Sequence, residues 1–367
     1  MKKYFQILFI IIVVFVFTLP VIRFNKNGTI SEKENRNLAT KPFILENNSF
    51  NELLFKEYDA YFSDRFGGRY RLINLNTRLK QIINGDSLIY NDNAIQGKNG
   101  WWFYISESDG NNLEDFYKRN LLDNQQLLEF EEKVKKTKEW FNEQNIPCIF
   151  LVCPNKHSVY SENYYFKRPK GITRSDQLVN VFEKQNISYI FPRDYLISKK
   201  TEYDYPLYFE TDTHWNSQGA YLTSLLLKET IEKSFPNIQF PIIKYETNVH
   251  YSMTAGDILP MLGVAESKST LIDFTPIGCN NSDYYEYILN AGVGGVHTKG
   301  TNKNLPSAII YRDSYFNAME QFISPLFSEA EYKWKQFDET EKDYILEHKP
   351  DIVIFENVER YSLTIVQ

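Results

Sequence analysis

No stripe of lysine and arginine runs through the folded part of this 367-residue chain. Its 41 basic side chains face 47 acidic ones, for a net charge of -6, which argues against a nucleic-acid binder. Cysteine is scarce. Cys148, Cys153 and Cys279 are too few, and odd in number, for a disulfide framework. Cys148 and Cys153 share one predicted strand with their side chains on opposite faces, so they should not bridge and read as small core residues. No cysteine and histidine cluster has metal-ligand spacing, so no metal site is expected. Glycine gathers in Gly292-Val293-Gly294-Gly295, without the spacing or the strand-to-helix setting of a dinucleotide fingerprint. A loop or hairpin turn is expected there, and no cofactor.

Tyrosine and phenylalanine, by contrast, are abundant, at 26 and 27 residues. That fits either a well-buried core or a surface that stacks on sugar rings, and composition alone leaves both open. The length suggests one large domain with an accessory segment. At the N-terminus, Lys2 and Lys3 precede an uncharged, mainly apolar run over residues 4–22, about long enough to cross a bilayer core of roughly 30 Å at 1.5 Å per residue. Positive charge at the start holds that end in the cytoplasm and sends the rest across. A cleaved signal peptide is the alternative, although no small-x-small site follows the run. The reading is therefore a transmembrane signal anchor over 1–23, a membrane-proximal linker and helical arm over 24–95, and a catalytic domain over 96–367.

Residues 31–38 are polar and should be extended. Apolar residues at helical spacing over 50–62 and 70–83 predict two helices, with the break at 63–69 containing Gly67-Gly68. Beyond Gly97 strands and helices alternate. A short aromatic strand at 100–104 is followed by a long helix over 123–145 with Asp123 as N-cap. The apolar strand 146–153 has the character of one buried on both faces, the mark of a parallel sheet. It leads to a helix over 174–185 and a strand over 187–191. Strand-helix units in succession indicate an α/β fold with ligands at the carboxyl ends of the strands. Residues 235–304 are less regular. A strand from Ser307, a helix over 339–348 and a last strand over 351–355 complete the domain.

The chemistry centres on Glu210-Thr211-Asp212-Thr213-His214-Trp215-Asn216, between a predicted strand at 206–209 and a helix over 219–233. An aspartate two residues before a histidine on such a loop suits a carboxylate orienting an imidazole that acts as general base. The matching nucleophile is Ser314, about a hundred residues later, where an apolar strand runs into Arg312-Asp313-Ser314-Tyr315-Phe316. Trp215 reads equally as a core aromatic beside the site or as a sugar platform. Arg312 could bind substrate, or pair with Asp313 or a buried carboxylate.

Four stretches resemble the SGNH-hydrolase-like family of polysaccharide O-acetyltransferases, the alginate acetylation (AlgX/AlgJ-like) group, and the related DHHW family. They are Glu34-Asn35-Arg36-x-Leu38, Gly97-x-x-Gly100-Trp101-Trp102-Phe103-Tyr104, Asp212-Thr213-His214-Trp215 and Arg312-Asp313-Ser314-Tyr315-Phe316. The resemblance implies a triad of Ser314, His214 and Asp212. Lys156, in Pro154-Asn155-Lys156-x-x-x-Tyr160, and Glu359-Arg360 also match recurring positions. The chain departs from the pattern with Thr213 where the DHHW name has His, and with Tyr315 where Phe is more familiar. An ordinary SGNH chain places its serine first and its Asp-His loop last. The reverse order here implies a circularly permuted, flavodoxin-like parallel sheet flanked by helices. On that map Ser314, Phe355 and Cys153 end the first, second and third strands on one edge, bringing Asn155, Lys156 and Asn357 near the nucleophile.

Three functions are compatible with these readings. The resemblance implies acetyl transfer through an acyl-serine onto a polysaccharide hydroxyl, with the donor supplied by a membrane-bound O-acyltransferase and an oxyanion held by backbone N–H groups and a side-chain donor. A polysaccharide acetyl esterase shares the same triad. A non-catalytic glycan-binding scaffold would keep only the fold.

Overall fold

A computed structural model describes residues 88–107, 109–288 and 295–367, and before them residues 4, 6–7, 9–10, 13–14, 18, 22–26, 28, 30–31, 36–46, 49–51, 53–67, 72 and 75. In the N-terminal part the helix α1 (Leu54–Arg65) overlaps the one expected over 50–62 and runs on through the first residues, 63–65, of the expected break. Ile30–Ser31 pairs antiparallel with Arg36–Asn37, extended backbone at both ends of the stretch expected to be extended. Arg65 gathers the carbonyls of Asn25, Gly28 and Ala39 around its guanidinium. Most of the helix expected over 70–83, most of the anchor expected over 4–22, and the Gly292-Val293-Gly294 part of the glycine cluster lie outside the described residues. Among the described residues no helix is long and apolar enough to cross a membrane.

The domain proper begins with a two-stranded aromatic hairpin, β1 (Ala94–Gln96) and β2 (Trp102–Tyr104). Helix α2 (Asn124–Glu143) starts where Asp123 and Gln126 form a reciprocal capping box, satisfying two backbone donors that the first turn leaves free. Its Phe130, Val134 and Phe141 are buried. Strand β3 (Cys148–Cys153) follows, then α3 (Arg174–Lys184), capped by Thr173 with Asp176, and the short strand β4 (Tyr189–Ile190). Helix α4 (Ser217–Ser234) comes after the Asp-His loop. Asn216 caps it by accepting from the backbone N–H groups of Gln218 and Gly219.

The segment that reads as irregular holds a long antiparallel ribbon, β5 (Tyr245–Thr254) with β6 (Ser267–Pro276), and two further strands, β7 (Tyr285–Tyr287) and β8 (Val296–Gly300). The strand that runs toward Ser314 is β9 (Ser307–Tyr311). After it come β10 (Glu329–Lys333), helix α5 (Lys342–His348) and the wholly buried β11 (Ile352–Val358).

Seven of these strands form one sheet in the order β7-β8-β10-β9-β11-β3-β4. From β10 to β4 every neighbouring pair is parallel, while β7 and β8 pair antiparallel at one edge. The sheet is therefore mixed, not purely parallel. Alternation divides its core in two. Ile149, Leu151, Cys153, Ile310 and Ile354 face α4, while Phe150, Val152, Ile309, Val353 and Phe355 face α2 and α3. Cys148 and Cys153 sit on opposite faces, both as free thiols.

Counted from β9 and carried round through β3, the parallel part reads 2-1-3-4-5, the flavodoxin-like doubly wound order. The count also corrects the strand map. The strand β10 lies between β9 and β11 in the chain, so Phe355 belongs to the third strand of that order and Cys153 ends the fourth. Residues 206–209 form no strand of a sheet. Phe209 and Leu207 hydrogen-bond to His214 and Asn216, so the segment folds back on its own loop.

Candidate active site

Ser314 opens a short 3-10 turn, Ser314–Ala318, directly beyond the carboxyl end of β9. Asp313 sets that turn. One carboxylate oxygen accepts from the Tyr315 N–H at 2.8 Å and the other from the Val358 N–H, at the end of β11, at 2.7 Å. The Asp313 N–H donates to Glu356 Oε2 at 2.9 Å. Burial, then the adjacent Asp313 charge, raise the Glu356 carboxyl well above its usual range. The turn is thus fastened to the neighbouring strand before any contact with the histidine.

Beneath the Asp-His loop the buried Lys156 ammonium donates to the carbonyls of Phe209, Glu210 and Asp212. Burial lowers its pKa to about 8, against the pull of Asp257, Asp212 and Glu210. From the side, the Glu210 carboxylate accepts from the Thr270 N–H at 2.8 Å and from the hydroxyls of Thr270 and Ser269, tying the loop to β6. Gly256, in the turn of the ribbon, has φ +54°, and a Cβ there would stand 2.2 Å from the Thr211 carbonyl. Only glycine allows so close an approach of the two backbones.

These supports place three side chains in a line. His214 Nδ1 is 2.7 Å from Asp212 Oδ1, and His214 Nε2 is 2.7 Å from Ser314 Oγ. Asp212 Oδ1 also accepts from the His214 backbone N–H at 3.0 Å. With Asp212 accepting a hydrogen bond from Nδ1–H, Nε2 is left as the acceptor for the serine hydroxyl. Burial opposes charge on both partners. The histidine's hydrogen bond and charge nevertheless hold Asp212 well below the usual carboxylate range, and the carboxylates of Asp212 and Asp257 raise His214 above the ordinary histidine value.

Asp257 is a site residue that sequence reading missed. It lies in the ribbon turn with one oxygen 3.7 Å from His214 Nδ1, and its carboxylate accepts from the N–H and the hydroxyl of Thr213. Its own N–H donates to Asp212 Oδ2 at 3.1 Å. Burial, then the charge of Asp212, push its pKa up to about 6. Asp212, His214 and Asp257 offer atoms within 4.8 Å of one another, close enough to share a cation. The Lys156 ammonium already supplies positive charge beside the two carboxylates. No spacing signal points to Asp257, because only the ribbon brings it 45 positions back to the loop.

The remaining predicted residues divide. Asn155 is buried with its Nδ2 unpartnered, in a small cleft shared with Tyr104, Lys156, Thr213, Tyr315 and Arg360. Its Oδ1 accepts from Arg360 at 3.4 Å. Asn357 Nδ2 instead donates to the Tyr361 carbonyl and holds the C-terminal 3-10 turn. Lys156 is occupied by loop carbonyls. Trp215 is only 1 % exposed, donates to the Tyr315 carbonyl at 3.0 Å and packs on Tyr315 and Tyr208, so it is a core residue and no sugar platform. Arg312 is buried against Glu320 at 3.1 Å and Asn317, which settles it on the buried carboxylate.

Residues 94–276 match the family model described as SGNH hydrolase-like domain, acetyltransferase AlgX. That span includes Lys156, Asp212, His214 and Asp257 and stops short of Ser314. No curated protein matches the chain. Among solved structures, Bacillus cereus PatB1 with a sulfonyl adduct is similar at 17 % identity, covering 75 % of this chain and 97 % of that one with a TM-score of 0.55. A DHHW family protein from Eubacterium siraeum is similar at 14 % identity, with 77 % and 95 % covered and a TM-score of 0.49. The O-acetyltransferase domain of Pseudomonas putida AlgJ is similar at 14 %, with 74 % and 93 % covered and a TM-score of 0.48.

Proposed function

Because this chain belongs to the SGNH-hydrolase-like acetyltransferase family of AlgX, we propose that it moves acetyl groups through an acyl-serine onto hydroxyls of a polysaccharide. The observation that carries this reading is the His214 ring, held at 2.7 Å by Asp212 on one side and by Ser314 on the other. Ser314 Oγ attacks the donor's acetyl carbonyl while His214 Nε2 takes its proton. The tetrahedral intermediate collapses, the bond to the donor's oxygen breaks, and His214 returns the proton to the leaving group. A sugar hydroxyl then attacks the acetyl-serine, His214 takes the hydroxyl proton, and Ser314 leaves as the free alcohol with that proton. Asp212 keeps the ring in the tautomer that accepts at Nε2 and offsets the imidazolium charge. The buried, unpartnered Nδ2 of Asn155 is the side-chain donor we assign to the oxyanion, beside backbone N–H groups of the serine turn.

On the same reading, residues 1–23 anchor the chain, 24–95 link and brace it, and 96–367 work outside the cytoplasm. No acetyl-CoA is expected in that compartment, so a membrane-bound O-acyltransferase hands over the acetyl group. The test is incubation of the full chain with an activated acetyl ester, with mass spectrometry of the peptide that contains Ser314. An added acetyl mass on that peptide, absent from Ser314→Ala, is expected. Product that is only free acetate, with polysaccharide present, would assign an esterase, and folded Ser314→Ala with ester turnover and polymer acetylation both unchanged and glycan binding intact would leave a glycan-binding scaffold. Release into the medium with a new N-terminus after about residue 20 would replace the anchor with a cleaved signal.

A further inference from the structure

With Trp215 buried, the carboxyl edge of the sheet offers another indole. Trp334 is the first residue after β10, the strand beside the nucleophile strand, and it is 50 % exposed. Its backbone neighbour Lys333 accepts from the Arg312 N–H at 3.0 Å, so Trp334 is held alongside the Arg312-Asp313-Ser314 turn. The Arg312 guanidinium lies over the indole ring, 4.4 Å from its centroid, and the same guanidinium donates to the Asp313 carbonyl at 3.3 Å. One guanidinium group therefore separates the ring from the residue that precedes Ser314.

Arg312 is itself fixed, by Glu320 at 3.1 Å and by Asn317 Oδ1. A half-exposed indole braced on one face by an immobilised cation is a preorganised flat surface. The exposed Asn317, whose Oδ1 is taken by Arg312, has its amide NH2 left to donate. A large apolar plane with a polar donor at its edge suits a sugar ring. Ring C–H groups lie on the negative face of the aromatic system, while hydroxyls hydrogen-bond at the rim.

We propose that Trp334 and Asn317 form an acceptor subsite that stacks one sugar ring of the polysaccharide and presents its hydroxyl to the acetyl-serine. The subsite rests on the acyl-transfer reading above. It is a binding and specificity surface, and the chemical step does not use it. Removal of the ring weakens capture of the acceptor and leaves formation of the acetyl-enzyme unchanged.

The experiment is a partition assay on the full chain. 4-Nitrophenyl acetate is the donor, and cellotetraose, chitotetraose or tetramannuronate competes with methanol for the acetyl group. Wild type is expected to favour at least one oligosaccharide over methanol. Trp334→Ala should lower that preference about tenfold, the equivalent of 1.4 kcal/mol, at an unchanged rate of nitrophenol release. Trp334→Tyr should restore most of it. Equal partition in wild type and Trp334→Ala, with the ester still consumed, overturns the subsite alone. No ester turnover by wild type overturns the acyl-transfer reading beneath it. If Trp334→Ala loses nitrophenol release as well, the indole serves only to hold the serine turn, and the proposal falls.

Discussion

The phenol of Tyr315 donates its hydrogen bond to the backbone carbonyl of Thr213, so the residue after Ser314 grips the residue before His214. Trp215 returns the contact, its indole N–H donating to the Tyr315 carbonyl at 3.0 Å. The Tyr315 ring also packs on the His214 imidazole, with centroids 4.7 Å apart. Two segments about a hundred residues apart are thus joined by direct bonds on both flanks of the 2.7 Å contact between His214 and Ser314. These aromatic contacts add to the hold of Lys156 on the loop and of Asp313 on the serine turn.

Removal of this grip should loosen the site. Tyr315→Phe keeps the packing and leaves the buried Thr213 carbonyl without its donor, at a cost of roughly 1–3 kcal/mol. The melting temperature should fall by several degrees, and acetyl ester turnover should drop in kcat with little change in KM. Thermal unfolding and steady-state kinetics on the same preparation check both. A variant with wild-type kcat would mean that the loop holds its place without the phenol.

The residues in line have unequal roles. Ser314→Ala and His214→Ala should each abolish nearly all turnover, and the double variant should be little worse than either, because the pair acts as one unit. Asp212→Asn should also be severe with the fold intact, since an amide favours the wrong tautomer and does not offset the imidazolium. Acetyl ester kinetics with circular dichroism as a folding control decide this. A folded His214→Ala variant at near wild-type rate would make the loop structural.

The layered core was legible where chemistry is local. The Asp123 cap, the helix periodicity over 123–145 and the apolar run ending at Cys153 each predict their element within a few residues. Asp212 and His214 were legible because the two-residue spacing of a carboxylate and an imidazole is itself a signal, and Ser314 because an apolar strand runs into it. The ribbon of β5 and β6 was not. Its strands alternate weakly, with exposed Tyr251 and Met253 on one and polar residues throughout, so no clean period of two appears. With the ribbon hidden, Asp257 had no address near the loop. Trp334 was hidden for a related reason: β10 reads Glu-Ala-Glu-Tyr-Lys, too polar to be recognised as a strand beside the nucleophile. Trp215 misled in the opposite direction, because a tryptophan beside a catalytic motif has the same letters whether it stacks inward or outward.

Arg312 offers a contrast between binding and support. Its guanidinium is almost wholly buried against Glu320 and Asn317. Arg312→Met leaves the Glu320 carboxylate buried without its partner, a change of about 3–5 kcal/mol for such pairs. Urea unfolding should show the midpoint fall sharply. An unchanged midpoint with a raised KM for acceptor would instead make Arg312 a direct ligand of the sugar.

Asp257 predicts a shape for the pH profile. His214 must be neutral to take a proton, so kcat/KM is lost as pH falls through its pKa. The carboxylates of Asp212 and Asp257 lift that pKa above 6.5, while burial and the Arg360 charge oppose them. The acid limb of wild type should accordingly lie above the pH of an ordinary histidine. Asp257 itself titrates at about 6, and Lys156 stands charged beside both carboxylates at these pH values. As pH falls, protonation of Asp257 removes a charge that favoured the imidazolium. The two titrations oppose each other, and the limb is shallower than that of one proton. Asp257→Asn keeps an acceptor for the Thr213 N–H and deletes the charge. The limb should then move to lower pH and steepen to a single proton, with a modest loss at the plateau. The check is kcat/KM for an acetyl ester across pH 5 to 9, roughly the range in which histidine changes charge. If the limb stays in place while the plateau falls, Asp257 acts only by holding Thr213, and its charge has no part in setting the basicity of His214.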